Sequence, residues 1–334
     1  MTTIYLVRHA EAEGNTYRRI HGQYNSLITE NGLRQIAALR ERFSDIQIDA
    51  CYASDLFRTC KTAQAVYLAK KLPLLPEKRF RETGVGRWED TPFGYLERFE
   101  KADMDRFNGD EMNWHVDGSE TWEQYTSRFL DGLNEIAARN SGKTIAIFSH
   151  ACVLRGVQKR LLETDDLPFC ENTAVSRLCW QDGDVRFDFL NDASHLTSEI
   201  STARRQARLK QGATDRADFS LWFARSEAPR ETYEAKHRDK TVGQLVLGES
   251  CEKGVGVIAE LVLDSAYRGR RFGQQLLGQA VCTVRARGAR RLAAIVPEQN
   301  AGAIHFFQEN GFVPQENQPE GLRLEKDIEV RPLP

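Results

Sequence analysis

Arg8, His9, Arg58, His150 and Glu82 are the residues of this chain whose types and settings could do chemistry together. Arg8 and His9 stand side by side where the apolar run "TIYLV" gives way to a polar stretch. Arg58 opens a helical pattern in "ASDLFRTCKTA", His150 ends the run "KTIAIFSH", and Glu82 lies in "FRETGVGRW". A phosphoryl group in transfer carries charge on its equatorial oxygens, so catalysis consists mainly of positioning and stabilisation by fixed positive groups. Two guanidiniums and a second imidazole supply these without a metal. Histidine is a competent nucleophile near neutral pH because its free base is well populated, and a hydrogen bond to the other ring nitrogen fixes its tautomer. His9 is therefore expected to carry the phosphate covalently. The departing alkoxide needs a proton, and a carboxyl held beside a phosphate dianion has its pKa raised toward the acid form; Glu82 is the expected donor.

A second candidate site lies far downstream, in "AELVLDSAYRGRRFGQQLL". A strand, a loop of glycines and arginines and a helix follow one another there. A helix N-terminus preceded by backbone amides suits a pyrophosphate, with Arg268, Arg270 and Arg271 adding charge. From this segment alone, a turn that is merely basic is an equal reading.

The elements that must position these groups follow from periodicity. Short apolar runs alternate with helical patterns through "TIYLV", "ENGLRQIAALRERF", "IDACYAS", "LFRTCKTAQAVYLAKKL", "KTIAIFSH" and "ACVLRGVQKRLL", which predicts a helix-covered sheet with parallel crossovers. Open sheets of this kind hold ligands at the C-terminal ends of their strands, where Arg8, His9 and His150 fall. Residues 83–120 break the rhythm and read as an insertion capping that edge. Its aromatics Trp88, Phe93, Tyr95, Phe99 and Trp114, with Trp122 just beyond, are expected chiefly to pack the cap onto the domain. After residue 195 the composition turns polar and basic, and this predicts a first domain over 1–195, a linker over 196–218 and a second α/β domain over 219–334.

At 334 residues the chain is long enough for two domains, and Lys+Arg 46 against Asp+Glu 48, a formal net charge of -2, does not suggest nucleic acid or a membrane surface as partner. No leader pattern or membrane-length apolar run is read, so a cytoplasmic location is expected. Seven scattered cysteines without a C-x-x-C pair argue against disulfides or zinc. His21, His115 and His195 are expected to be structural, and Cys152 a small buried helix residue.

The quoted segments carry two resemblances. "LVRHAEAEGN", "GQYNSLITENGLRQ", "SDLFRTCKTA", "DGSETWEQYTSR" and "FSHACVLR" are similar, in order, to the motifs of the histidine phosphatase (phosphoglycerate mutase-like) superfamily, with "NTAVSRLCW" and "LNDASHL" resembling its closing strands. That resemblance implies a three-layer α/β/α domain. It also implies His9 as nucleophile, Arg8, Arg58 and His150 as phosphate pocket, Glu82 as proton donor, and Asn15 and Gln23 as substrate-binding residues. Ala10, Ala12 and Ala151 depart from residues frequent in the family, and none of them removes a charged group. The compact insertion favours hydrolysis over mutase chemistry.

"YRGRRFGQQLL" with "NAGAIHFFQENGF" resembles the GNAT acyltransferase family. This second resemblance implies acetyl-CoA, its pyrophosphate on Arg268, Gly269, Arg270, Arg271, Phe272 and Gly273, its pantetheine along Leu261, Val262 and Leu263, and Asn300 beside the pantetheine arm. Glu260 resembles a proton-relaying residue of some members. Two departures stand out: Arg271 occupies a glycine position, and Phe307 replaces a frequent tyrosine acid and cannot donate a proton. The expectation is a bifunctional enzyme that hydrolyses a phosphorylated small metabolite without metal and acetylates a small amine, with a homodimer left open. The alternatives are a phosphatase whose second domain only binds acyl-CoA or serves as scaffold, and a phosphomutase first domain.

Overall fold

A computed structural model describes residues 1–209 and 215–331 of the chain; residues 210–214 of the expected linker and 332–334 at the end of the expected second domain lie outside the described residues. The strand β1 (Thr2–Arg8) leads to a short helix α1 (Glu13–Tyr17), then α2 (Glu30–Arg42), β2 (Ala50–Ala53), α3 (Phe57–Lys70) and β3 (Leu74–Pro76). The inserted segment folds as α4 (Phe93–Phe99) and α5 (Lys101–Gly109), and the sheet resumes through α6 (Trp122–Arg139), β4 (Thr144–Ser149), α7 (Ala151–Leu162), β5 (Val175–Gln181) and β6 (Asp184–Asp192). These strands form one six-stranded sheet in the order β3-β2-β4-β1-β5-β6. The first four strands run parallel, as the alternation of runs and helices predicts, and the β5–β6 hairpin closes the sheet antiparallel to β1.

Two apolar layers clamp this sheet. Ile4, Leu6, Ile145 and Ile147 face α6 and α7 through Phe129, Leu133, Val153 and Val157. Val7, Ala53, Ala146 and Phe148 face α2 and α3 through Leu39, Ala63 and Val66. Side chains alternate along a strand, so β1 and β4 feed both layers at once.

The cap has a small core of its own, with Trp88, Leu96, Met104, Trp114 and Val116 packed around Ile20 and Val85. Tyr95 and Phe99 do not join it. Both are exposed, and the Phe99 ring meets Trp222 of the second sheet edge-on at 5.1 Å. Trp122 packs instead against the α6–α7 layer.

Past α8 (Thr202–Leu209) come β7 (Trp222–Arg225), β8 (Thr232–His237), β9 (Lys240–Gly248), β10 (Val255–Leu263), α9 (Phe272–Ala286), β11 (Arg291–Val296), α10 (Ala301–Glu309), β12 (Val313–Gln318) and β13 (Gly321–Asp327). They make a second, mixed sheet in the order β12-β13-β11-β10-β9-β8-β7. Its core gathers Leu245, Ile258, Leu276, Leu277, Val281, Leu292 and Leu324, and it also contains Tyr17 of α1. A residue of the first domain thus sits in the core of the second sheet.

Candidate functional site

β1 ends at Arg8, and the chain beyond it is pinned on both sides: His9 N–H donates to Ser149 O at 3.0 Å, and Ala10 N–H donates to Thr62 Oγ1 at 2.9 Å. The His9 ring Nδ1 lies 2.7 Å from Ala10 O. A carbonyl only accepts, so Nδ1 carries the proton and the Nε2 lone pair is left without a hydrogen-bond partner among the described residues. Burial, and then the charges of Arg58 and Arg8, push the His9 pKa well below 6.5. The ring is therefore neutral at neutral pH, in the form a nucleophile needs.

His150 stands beside it, ring centroids 5.2 Å apart. Its Nδ1 accepts from Arg58 Nε at 3.2 Å, which leaves Nε2 to donate to Ser54 Oγ at 2.9 Å. Burial and Arg58 hold this imidazole neutral as well. Arg58 is buried and its pKa is pulled down to about 10 by loss of hydration, a cost that Glu82 and Glu89 partly offset. It also donates to Tyr24 O at 2.9 Å and Gly22 O at 2.6 Å, so the same guanidinium anchors the loop that carries Gln23. Gln23 in turn donates to Glu82 O at 3.2 Å, and Glu89 accepts from the amides of Gln23 and Tyr24.

Arg8 donates through Nη1 to Cys170 O at 2.6 Å, while its buried Nε has no partner among the described residues. Glu82 lies at the start of α7, where its carboxylate accepts the amides of Val153 at 2.8 Å, Cys152 at 3.1 Å and Thr83 at 3.0 Å. Asn15 Oδ1 accepts from Ala12 N–H at 3.0 Å and from Asn172 Nδ2 at 3.4 Å, and Asn172 also donates to His9 O. The Asn15 side-chain Nδ2 has no partner among the described residues. Ser54, Glu89 and Asn172 escaped the sequence reading, since each acts on a backbone atom or ring from a distant segment. Only the polar strand end "ASD" hinted at Ser54.

Next to Arg8 opens a cavity of about 440 Å³ bounded by Thr83, Phe107, Glu111, Trp114, Cys152, Arg155 and Phe169 among others. Trp114 Nε1 and Thr83 Oγ1 are buried on its wall without partners among the described residues. Cys152 lines the cavity and is half-buried, where full burial was expected; loss of hydration, with Glu82 and Glu111 nearby, keeps its thiol protonated well above the ordinary range. His21, Asp90 and Cys282 meet across the two sheets within metal-ligand reach of one another, a grouping that no spacing in the sequence reveals. Arg19 Nε already donates to the same Asp90 oxygen at 2.6 Å, and that cation makes the cluster a hydrogen-bonded knot. His195 is held between Arg42 and Thr173.

In the second sheet, β10 pairs with β11 only over Val255–Ile258, and a bulge follows between Ile258 and Glu260 on its other edge. Residues 259–263 thus have no β11 partner, and Leu261 and Val262 are open to a ligand's chain. The amides of residues 269–273 have no acceptor among the described residues, and Gly269, at φ +75, is exposed with open space around it. Amides and splayed strand together fit acetyl-CoA, whose chemistry there would be that of an activated thioester.

The arginines of the loop are turned elsewhere. Arg268 Nε donates to Leu263 O at 3.1 Å, and Arg270 donates to Asp218 O at 2.8 Å. Arg271 caps α9 at φ +60 and shares a cavity of about 30 Å³ with Asn15, Thr16 and Arg18. Asn300 caps α10 through Ala303 N–H, Glu260 is exposed, and Phe307 is 5% exposed with its ring edge-on to Phe306 and Phe312. A larger cavity of about 1280 Å³ lies at the opposite end of β10, around Val255–Val257 and Arg287–Arg290. No helix among the described residues is long and apolar enough to cross a membrane.

Residues 4–193 match the family model of the histidine phosphatase superfamily (branch 1), and residues 196–312 match that of the acetyltransferase (GNAT) family. The chain is 28% identical to a probable phosphoglycerate mutase GpmB of Proteus mirabilis over 59% of its own length and 96% of the relative's. It is 29% identical to a metal-independent phosphoserine phosphatase of Arabidopsis thaliana over 59% of its length and 84% of that protein's. The solved structure of Bacillus stearothermophilus YhfR superposes with a TM-score of 0.56 at 26% identity, over 58% of this chain and 99% of that one. With the paired histidines and arginines at its first sheet edge, the chain belongs to the histidine phosphatase superfamily and carries a GNAT-family domain behind that fold.

Proposed function

We propose that the first domain hydrolyses a small phosphomonoester without metal through a phosphohistidine on His9. The observation that carries this reading is the His9 ring itself: buried, neutral, its Nδ1 proton fixed on Ala10 O, its Nε2 without a partner among the described residues, and the ring beside His150 and under the charges of Arg58 and Arg8. His9 Nε2 attacks phosphorus as the ester P–O bond breaks, and the leaving oxygen takes a proton from the Glu82 carboxyl. Water then attacks the phosphohistidine, gives its proton back to Glu82, and frees His9 and inorganic phosphate. Arg8, Arg58 and the Asn15 side-chain amide hold the phosphoryl oxygens, and His150, with Nε2–H on Ser54 and Nδ1 on Arg58, orients the Arg58 guanidinium beside them.

The cavity volume suits a small organic group, for which Trp114 and Thr83 supply hydrogen-bonding groups. Relatives named as phosphoserine phosphatases and as probable phosphoglycerate mutases share a small phosphomonoester substrate, and the metal-independent name supports the same chemistry here. The test is turnover in excess chelator with an acid-labile, base-stable phosphoenzyme. Dependence on added metal, or normal turnover by His9→Ala, removes the reading, and an isomeric phosphate without free phosphate replaces it with a mutase.

For the second domain, the edge of β10 that β11 leaves free and the free amides support acetyl-CoA binding, and transfer to a small amine would complete a bifunctional enzyme in which the exposed Glu260 takes the amine's proton. Buried Phe307 and the diverted Arg268 and Arg270 favour the second reading, a domain that binds acyl-CoA or only supports its neighbour. Calorimetric titration of acetyl-CoA into the full chain separates the two.

A further inference from the structure

The helix α1 has five residues, too few to hold its own position in water. One end is fixed within the first domain, where Ala12 bridges Ile28 and Glu13 N–H donates to Leu27 O. From there on it is fixed by the second. Arg285 of α9 forms a two-pronged ion pair with Glu13 at 2.9 and 3.0 Å, and Tyr17 is part of the second domain's core. Lys326 of β13 reaches the Tyr17 hydroxyl at 3.3 Å, and Gln279 of α9 accepts from Arg19 at 2.9 Å. Contact with Tyr17 needs a glycine at 278, because a Cβ there would sit 2.4 Å from Tyr17 Cβ.

Successive residues of a helix are about 100° apart, so Glu13 and Tyr17 share one face while Asn15 points the opposite way. The face that carries 13 and 17 is seated on α9, and the opposite face puts Asn15 beside Ala12 and Asn172, next to His9. Within α9 the contacting residues Gly278, Gln279, Cys282 and Arg285 recur at helical spacing, so one stripe of the helix is given to the first domain.

From this arrangement we infer that the GNAT-family domain is a working part of the phosphatase: α9, through Gly278 and the Arg285–Glu13 pair, positions Asn15 in the phosphate pocket. Gly278 and Arg285 are positioning residues, and they act whether or not the second domain transfers acetyl groups. The inference rests on the reading of Asn15 as a phosphate-pocket residue. It predicts that the affinity of the first site depends on residues whose contacts lie 260 or more positions away in the chain.

The test measures inorganic phosphate binding by calorimetry, and kcat and KM for p-nitrophenyl phosphate in chelator, on the full chain and on Asn15→Ala, Gly278→Ala and their double variant. Arg285→Lys, which keeps the charge and loses the fork, is the second route should Gly278→Ala not fold. Each single variant is expected to weaken phosphate binding and raise KM about tenfold with a smaller change in kcat, and the double variant is expected to be no worse than either alone. Losses that multiply, or positioning variants that bind as wild type does, overturn the inference. A wild-type chain that binds phosphate without hydrolysing it removes the hydrolase reading while the coupling is still measured, and one that binds no phosphate removes both.

Discussion

Glu13 and Arg285, 272 positions apart, form a bidentate ion pair between the two domains, with the Glu13 side chain only 2% exposed. Burial works against the Glu13 charge, but Arg285 and Lys326 outweigh it and hold the carboxyl below its ordinary range. A buried pair is worth little against an apolar pair of the same shape, whereas removal of one partner strands the other charge. Arg285→Met is thus expected to destabilise the chain by about 3 to 5 kcal/mol, toward the lower figure because Lys326 remains in range. Glu13→Gln added to it should recover a large part. Urea unfolding of the wild type and the two variants measures this, and equal stabilities for the single and double variants would contradict it.

His195 gives a pH signature of its own. Burial, and then Arg42, lower its pKa to about 4. Above pH 6.5 neither folded nor unfolded chain protonates this ring, so it adds no pH dependence. Between 6.5 and 4 only the unfolded chain takes the proton, and stability falls; below about 4 both take it and the slope ends. The loss across that window is expected to be about 3 kcal/mol from this residue. His195→Gln should flatten the denaturation midpoint over the same range. His9 and His150 are lowered too, so the acid limb of kcat/KM should lie well below pH 6.5.

Why some of this was legible in the sequence and some was not comes down to the range of each interaction. Arg8, His9, Arg58 and His150 stand at strand ends or a helix start, and periodicity alone puts such positions at one sheet edge. Asn172 and Glu89 act by holding backbone atoms of remote loops, which leaves no local pattern. The helix α1 is too short to show a period. On α9, Gly278, Gln279 and Arg285 look like ordinary small or solvated positions until Tyr17 and Glu13 are seen against them. Phe99 failed as a cap-packing residue for the same reason, since Trp222 lies in the other sheet, and Tyr95 packs on Phe99.

Glu82 makes a discriminating test of the proton-transfer step. Glu82→Gln keeps one oxygen for the amides of Val153 and Thr83, which share Oε1, and gives up only the bond from Cys152 N–H, so the fold should survive the loss of the acid. For an alkyl phosphate with a poor leaving group, kcat is expected to fall about 10²- to 10⁴-fold. For p-nitrophenyl phosphate, whose leaving group needs no proton, the loss should be far smaller. Equal losses with both substrates would mean that Glu82 only positions the start of α7.

Arg271 tests the coenzyme loop. It holds φ +60, a left-handed conformation that costs a side chain about 1 to 2 kcal/mol relative to glycine, at a position where the GNAT resemblance implies glycine. It lines a small cavity with Asn15, Thr16 and Arg18, and the charges that act on its guanidinium are Arg205 and Glu11. Arg271→Gly should therefore leave acetyl-CoA affinity within about threefold of wild type and raise thermal stability, because backbone strain is relieved and no coenzyme contact is lost. A loss of affinity of about tenfold or more would place the guanidinium on the pyrophosphate after all. In that case Arg271 would be the residue through which a bound coenzyme touches the wall shared with Asn15, and phosphate affinity of the first domain should then change on addition of acetyl-CoA.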